Sequence, residues 1–185
     1  MKKIYISCYE NNDLKYKNSL IDANKRRNNL IFELNNSTES DFYNLISDSK
    51  SIIEKVKSNL FRDAEVAIFL VGDETKKRKI SNWEARAAMS DYGIFRKCGI
   101  IIVYLPDLIQ KYGSKIPRSV LPSILELNIN KPDVYMHETT WDKIIRDINV
   151  FDRLLNTAYA YGKMSKYVLN EDIETENQSN YINLK

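Results

Sequence analysis

Residues 64–105, AEVAIFLVGDETKKRKISNWEARAAMSDYGIFRKCGIIIVYL, decide how the rest of the chain is read. Val66 to Val71 is a short apolar run that stops at Gly72-Asp73. A polar, basic loop follows over residues 73–79, and a helix is expected from Asn82 to about Cys98. Gly99 to Leu105 is a second apolar run, ended by Pro106 and Asp107. Strand, loop, helix, strand is the βαβ unit of a parallel sheet, in which ligands sit outside the carboxyl ends of the strands. Glu84 falls at the start of the helix, beside that edge.

The same alternation extends outward. Lys3 to Cys8 (KIYISC) is rich in β-branched and aromatic residues and reads as a buried first strand. Residues 9–13 form a polar loop with N-cap candidates, and a sparse apolar pattern predicts a partly exposed helix over 13–28. Residues 30–34 (LIFEL) read as a second strand, 35–40 as a loop of turn formers, and 42–60 as a helix with a break near Ser49 and Ser51. Beyond Pro106, in a region punctuated by Pro117 and Pro122, residues 118–127 predict a short helix, and Val134-Tyr135-Met136 a candidate fifth strand at the sheet edge. Thr139 or Thr140 caps an amphipathic helix whose stripe is Trp141, Ile144, Ile145, Ile148, Phe151, Leu155 and Ala158, running to about Tyr161 and stopped by Gly162. The expected fold is an α/β, flavodoxin-like open parallel sheet of order 2-1-3-4 flanked by helices, because that order needs only right-handed crossovers. One domain is expected over residues 1–163, with a polar, mobile tail over 164–185.

Composition narrows the function classes. The chain has 185 residues and 43% apolar residues, enough for one domain with a real core. The net charge is +3, and without the last twenty residues the body holds 26 basic and 21 acidic residues. That favours small anionic ligands but is too dispersed for duplex DNA. Cys8 and Cys98 each lie among apolar neighbours and read as buried, reduced thiols of a cytoplasmic protein. Two cysteines and the single His137 do not make a four-ligand zinc site. No apolar run reaches the length of a membrane span, and the N-terminus lacks the apolar core of a signal peptide.

Five glycines, at 72, 93, 99, 113 and 162, form neither a dinucleotide fingerprint nor a P-loop. His137 stands far from Ser7 and Cys8, so no nucleophilic triad is indicated. The run Lys76-Lys77-Arg78-Lys79 reads first as a solvated loop and second as a phosphate contact. Carboxylates, hydroxyls and backbone amides remain. One placed glutamate can serve glycosidic chemistry, since breaking an N-glycosidic bond builds oxocarbenium-like charge at C1′. By residue type alone, however, Glu84 is one of 25 acidic residues, and surface is the commoner place for one.

Three segments carry a family resemblance. Residues 3–9 (KIYISCY) resemble the first-strand box of TIR domains, residues 66–75 (VAIFLVGDET) their third-strand element, and residues 79–85 (KISNWEA) their Trp-x-x-x-Glu helix motif. Residues 100–108 (IIIVYLPDL) are similar to the strand that follows. Together they span residues 3–108 and resemble the bacterial TIR-like family that includes the Thoeris anti-phage sensors. Ile80 stands where the motif tryptophan is usual, Trp83 matches an aromatic some members carry before the glutamate, and Ala85 replaces a common isoleucine.

The resemblance implies an NAD nucleosidase or ADP-ribosyl cyclase with Glu84 as its catalytic residue. It implies release of nicotinamide and formation of ADP-ribose or a cyclic ADP-ribose isomer that signals to an effector protein. NAD is then a substrate, and no separate cofactor or metal is expected. Ser7, Tyr9, Gly72 and Asp73 are expected to line the nucleotide; Trp83 is a further candidate, with core packing as its commoner role. Self-association is also implied, with no nucleic acid or membrane partner. Two other readings stand beside it. A non-catalytic TIR-type association module is favoured by Ile80 and disfavoured by the glutamate in register. A nucleoside deoxyribosyltransferase-like enzyme is disfavoured by the lack of a second acidic motif.

Overall fold

Five parallel strands in the order β2-β1-β3-β4-β5 form one sheet in a computed structural model that describes residues 1–35 and 52–169. The strands are β1 (Lys2–Ser7), β2 (Phe32–Leu34), β3 (Val66–Val71), β4 (Gly99–Tyr104) and β5 (Met136–Thr140). The helices are α1 (Glu10–Lys25), α2 (Ile52–Leu60), α3 (Lys79–Met89), α4 (Pro106–Tyr112), α5 (Ser123–Asn128), α6 (Trp141–Arg146) and α7 (Ile148–Gly162). The expected flavodoxin-like sheet is therefore present, and the fifth strand joins it at the β4 edge.

Every residue of β3 and β4 is buried, because these strands are covered on both faces. Their side chains divide with period two. Ala67, Phe69, Val71, Ile100 and Ile102 join Tyr5, Val56, Leu60, Trp83 and Leu125 in one core, under α2, α3 and α5. Val66, Ile68, Leu70, Ile101 and Val103 join Ile4, Ile6, Leu20, Phe151 and Leu155 in the other, under α1, α6 and α7. The chain leaves β1 toward β2 and returns past it to β3, so the ends of β1 and β3 bound the switch point.

Several boundaries differ from the sequence reading. The helix expected to reach Cys98 stops at Met89; Tyr92 and Phe95 then exchange backbone hydrogen bonds at 2.8 Å around Gly93, whose φ is 56°. Pro106 both ends the strand and opens α4 at its first position, where its missing N–H costs nothing. The expected strand over 134–136 is instead β5, so Thr139 lies in the strand and Thr140 is its last residue and the N-cap position of α6. The helix expected over 141–161 is two helices. Asp147 is extended and its carboxylate accepts from the Asn149 N–H at 3.0 Å, restarting the helix although the apolar stripe continues across it. The helix over 13–28 runs from Glu10 to Lys25, and the second strand is shortened to Phe32–Leu34. The helix over 42–60 is described only from Ile52.

α7 presses backbone to backbone on the start of β4. A Cβ on Gly162 would lie 2.3 Å from the Gly99 Cα, and one on Gly99 would lie 2.1 Å from the Ala158 carbonyl oxygen. Within residues 164–169, which the sequence places in the polar tail, Ser165, Tyr167 and Leu169 pack on the domain while Met164, Lys166 and Val168 are exposed. Ser165 is buried and its hydroxyl accepts from the Tyr135 N–H at 2.9 Å, while Tyr167 donates to the Cys98 carbonyl at 3.2 Å. Residues 170–185 lie outside the described residues. No helix among the described residues is long and apolar enough to cross a membrane.

Candidate active site

α3 follows β3 and brings Glu84 against the end of β1. Its carboxylate is gripped by two hydroxyls. Tyr5 donates to Oε1 at 2.6 Å and Ser7 donates to Oε2 at 2.6 Å. Tyr5 and Ser7 are two apart on β1, so the pleat points both to the α3 face, and Ser7 is the last residue of the strand. All three side chains are buried, with Glu84 only 2% exposed. Charge-assisted bonds of this length are among the stronger ones in proteins. The Tyr5 hydroxyl is pushed well above its ordinary pKa, first by burial and then by the Glu84 charge, so it remains a donor at neutral pH.

Beside this carboxylate lies a second charged group that the sequence reading did not assemble. A Cβ on Gly72 would sit 3.1 Å from Asp107 Oδ2 and 3.2 Å from Asp13 Oδ2, so two carboxylates converge over the end of β3. Burial, and then the Asp107 charge, push Asp13 up to about 6. Arg78 opposes both effects: its positive charge lowers the pKa of Asp13, Tyr5 and Cys8. Its guanidinium also lies 5.1 Å from the centre of the Tyr9 ring. Arg78 belongs to the basic run read first as solvated loop. Nothing local in KKRK distinguishes it from its three lysine neighbours.

The remaining candidates separate. Tyr9 is half-buried at the N-cap of α1, and its hydroxyl accepts from Asn11 at 3.1 Å. The Gly72 N–H donates inward to the Thr75 hydroxyl at 2.8 Å. The Asp73 N–H donates to Asp107 at 2.8 Å, and its carboxylate pairs with Lys111 at 2.8 Å, so its side chain leans toward α4. Trp83 is buried in the same core as Ile80, Ala87 and Leu125. Ser7, Glu84, Tyr9 and Gly72 thus gather around the switch point, joined by Tyr5, Asp13, Arg78 and Asp107. Tyr5 was legible in principle, since the strand period puts it on the same face as Ser7. Cys8 faces the other core, and burial pushes its thiol up to about 12, away from nucleophilic use. Among the described residues no group of three or more His, Cys, Asp or Glu side chains is placed to hold a metal ion.

The arrangement offers a buried carboxylate that accepts from two hydroxyls, with a carboxylate pair over the end of the adjacent β3 and one guanidinium nearby. A sugar diol presents the same kind of donor as Tyr5 and Ser7. The family model described as Thoeris protein ThsB, TIR-like domain, matches residues 5–110. That span takes in the end of β1 from Tyr5, all of β3 and α3, and every residue of the site from Tyr5 to Asp107. No curated protein and no solved structure matches the chain.

Proposed function

This chain belongs to the Thoeris ThsB TIR-like family, and from that membership we propose that it cleaves the nicotinamide–ribose bond of NAD with Glu84 as its catalytic residue. The observation that carries the reading is the Glu84 carboxylate at the end of β1, held at 2.6 Å by the hydroxyls of Tyr5 and Ser7. In the reaction the ribose hydroxyls exchange for these donors on Glu84. The C1′–N bond breaks, its electron pair leaves with nicotinamide, and the carboxylate steadies the positive charge left on C1′. Water then adds at C1′ and releases a proton, giving ADP-ribose. A nucleophilic nitrogen or oxygen of the same nucleotide adds instead when water is excluded, giving a cyclic isomer. We extend the proposal to a cytoplasmic setting, to self-association and to an effector protein that reads the product.

A second reading has its own support. Glu84 is buried, and both carboxylate oxygens already accept hydrogen bonds from β1. A non-catalytic association module would use it to tie α3 to the sheet. Incubation of the purified protein with NAD, alone and with lysate from phage-infected cells, separates the two when nicotinamide release is followed by chromatography. Release by the wild type and none by Glu84→Gln is the expected result. Equal release by both would remove Glu84 from the chemistry, and a folded wild type silent under both conditions would favour the module.

A further inference from the structure

A cleft of about 630 Å³ opens over the carboxyl ends of β4 and β5, and Glu84, Tyr5 and Ser7 are not among its lining residues. Its size is that of a small-molecule site, and carboxyl ends of parallel strands are where such sites form. Tyr104, the last residue of β4, and Glu138 on β5 form its floor. Tyr104 donates to Glu138, and Arg118 is bonded to both, at 2.9 Å to the Tyr104 hydroxyl. Both Arg118 bonds use Nη1, so the other side of its planar fork has no hydrogen bond within the described protein. Lys115 and Lys143, from the segment after α4 and from α6, line it and are exposed, with no acidic partner among the described residues. Three cations therefore face one carboxylate, and Ile109 and Ile116 supply an apolar wall.

We propose that this cleft is a second ligand site, built for a phosphate-bearing small molecule of nucleotide size. Arg118 is held in place by Glu138 and Tyr104, and a guanidinium so fixed matches phosphate oxygens. Lys115 and Lys143 add charge without needing to break an existing pair. The apolar wall suits a base or sugar face rather than a bare ion. The site is distinct from that of Glu84. β3 lies between β1 and β4, which sets the two sites at least two strand spacings, about 10 Å, apart. The end of β3 carries the Asp13 and Asp107 carboxylates, which repel a phosphate chain laid from one site to the other. The inference does not rest on NAD cleavage.

Titration of the full chain with ADP and, separately, with inorganic pyrophosphate, followed by backbone amide NMR, tests it. Saturable shifts at residues 113–118 and 138–143 are expected. Lys115→Ala/Lys143→Ala, which removes two exposed and unpaired side chains, is expected to weaken binding roughly tenfold per lysine. Tighter binding of ADP than of pyrophosphate assigns a share to the apolar wall; equal binding reduces the site to phosphate recognition. Absence of saturable shifts at millimolar probe, shifts centred on Ser7 and Glu84, or unchanged affinity in the double variant would overturn the proposal.

Discussion

Replacing Tyr5 by phenylalanine removes one oxygen atom from the buried carboxylate network and little else. The ring remains, and so does its contact with Phe61 at 4.3 Å between centroids. What is lost is a 2.6 Å bond to Glu84 Oε1 between two side chains that are 3% and 2% exposed. A hydrogen bond to a buried charge is worth about 1.5–3 kcal/mol, so Tyr5→Phe should cost ~2 kcal/mol. For a chain of this length that lowers Tm by roughly 4–8 °C. Ser7→Ala should cost a similar amount through Oε2. Glu84→Gln behaves differently. The amide keeps one acceptor, and a hydroxyl can turn to accept from its NH2 group, so the cost falls to about 1 kcal/mol or less. On that background Tyr5→Phe breaks a neutral bond, and its cost should drop to about half. Urea unfolding of the four proteins at pH 7, followed by circular dichroism, gives the cycle and a coupling of ~1 kcal/mol. A Tyr5→Phe cost below about 0.5 kcal/mol, or the same cost on both backgrounds, would mean that the Tyr5 hydroxyl does not bond a buried charge at Glu84. The cycle also gives the stability control for the NAD assay, because loss of release by a folded Glu84→Gln protein then reports chemistry.

Two further outcomes follow from the packing and the charges. Gly162→Ala drives a Cβ into the backbone of Gly99, which has no flexible side chain to yield, and should cost about 3 kcal/mol or more by thermal unfolding; a neutral result would mean that α7 does not lie where described. Asp13 is raised to about 6 by burial and by Asp107. Between its unfolded value near 4 and about 6 the folded protein keeps the proton that the unfolded chain releases, so this group makes stability fall as pH rises through that window. The stability of Asp13→Asn relative to wild type should therefore increase from pH 4 to pH 6 and level off above, by ~2–3 kcal/mol at most. A flat difference across that range would remove the carboxylate pair from the account.

The sheet was legible in the amino-acid pattern. Apolar runs such as Val66–Val71 and Gly99–Tyr104 are buried on both faces, and burial on both faces writes itself into consecutive residues. The same local pattern put a helix after β3, although that helix starts at Lys79 rather than Asn82 and so holds Glu84 at its middle, and the order of elements limited the topology through crossover handedness. Local pattern failed where short-range polar bonds overrode it: at Asp147, which restarts a helix inside an unbroken apolar stripe, and after Met89, where the Gly93 turn ends the helix. The surroundings of Glu84 come from segments far apart in the chain and emerge only on folding. Tyr5 and Ser7 lie 79 and 77 residues away along the chain, and Asp13 and Asp107 meet over Gly72 from opposite ends of the matched segment. Folding also buried Trp83 in the core and singled out Arg78 from its three lysine neighbours. Hydrogen bonds and charge pairs between distant segments leave no periodic trace, because each needs only one atom of each partner and the fold alone brings those atoms together.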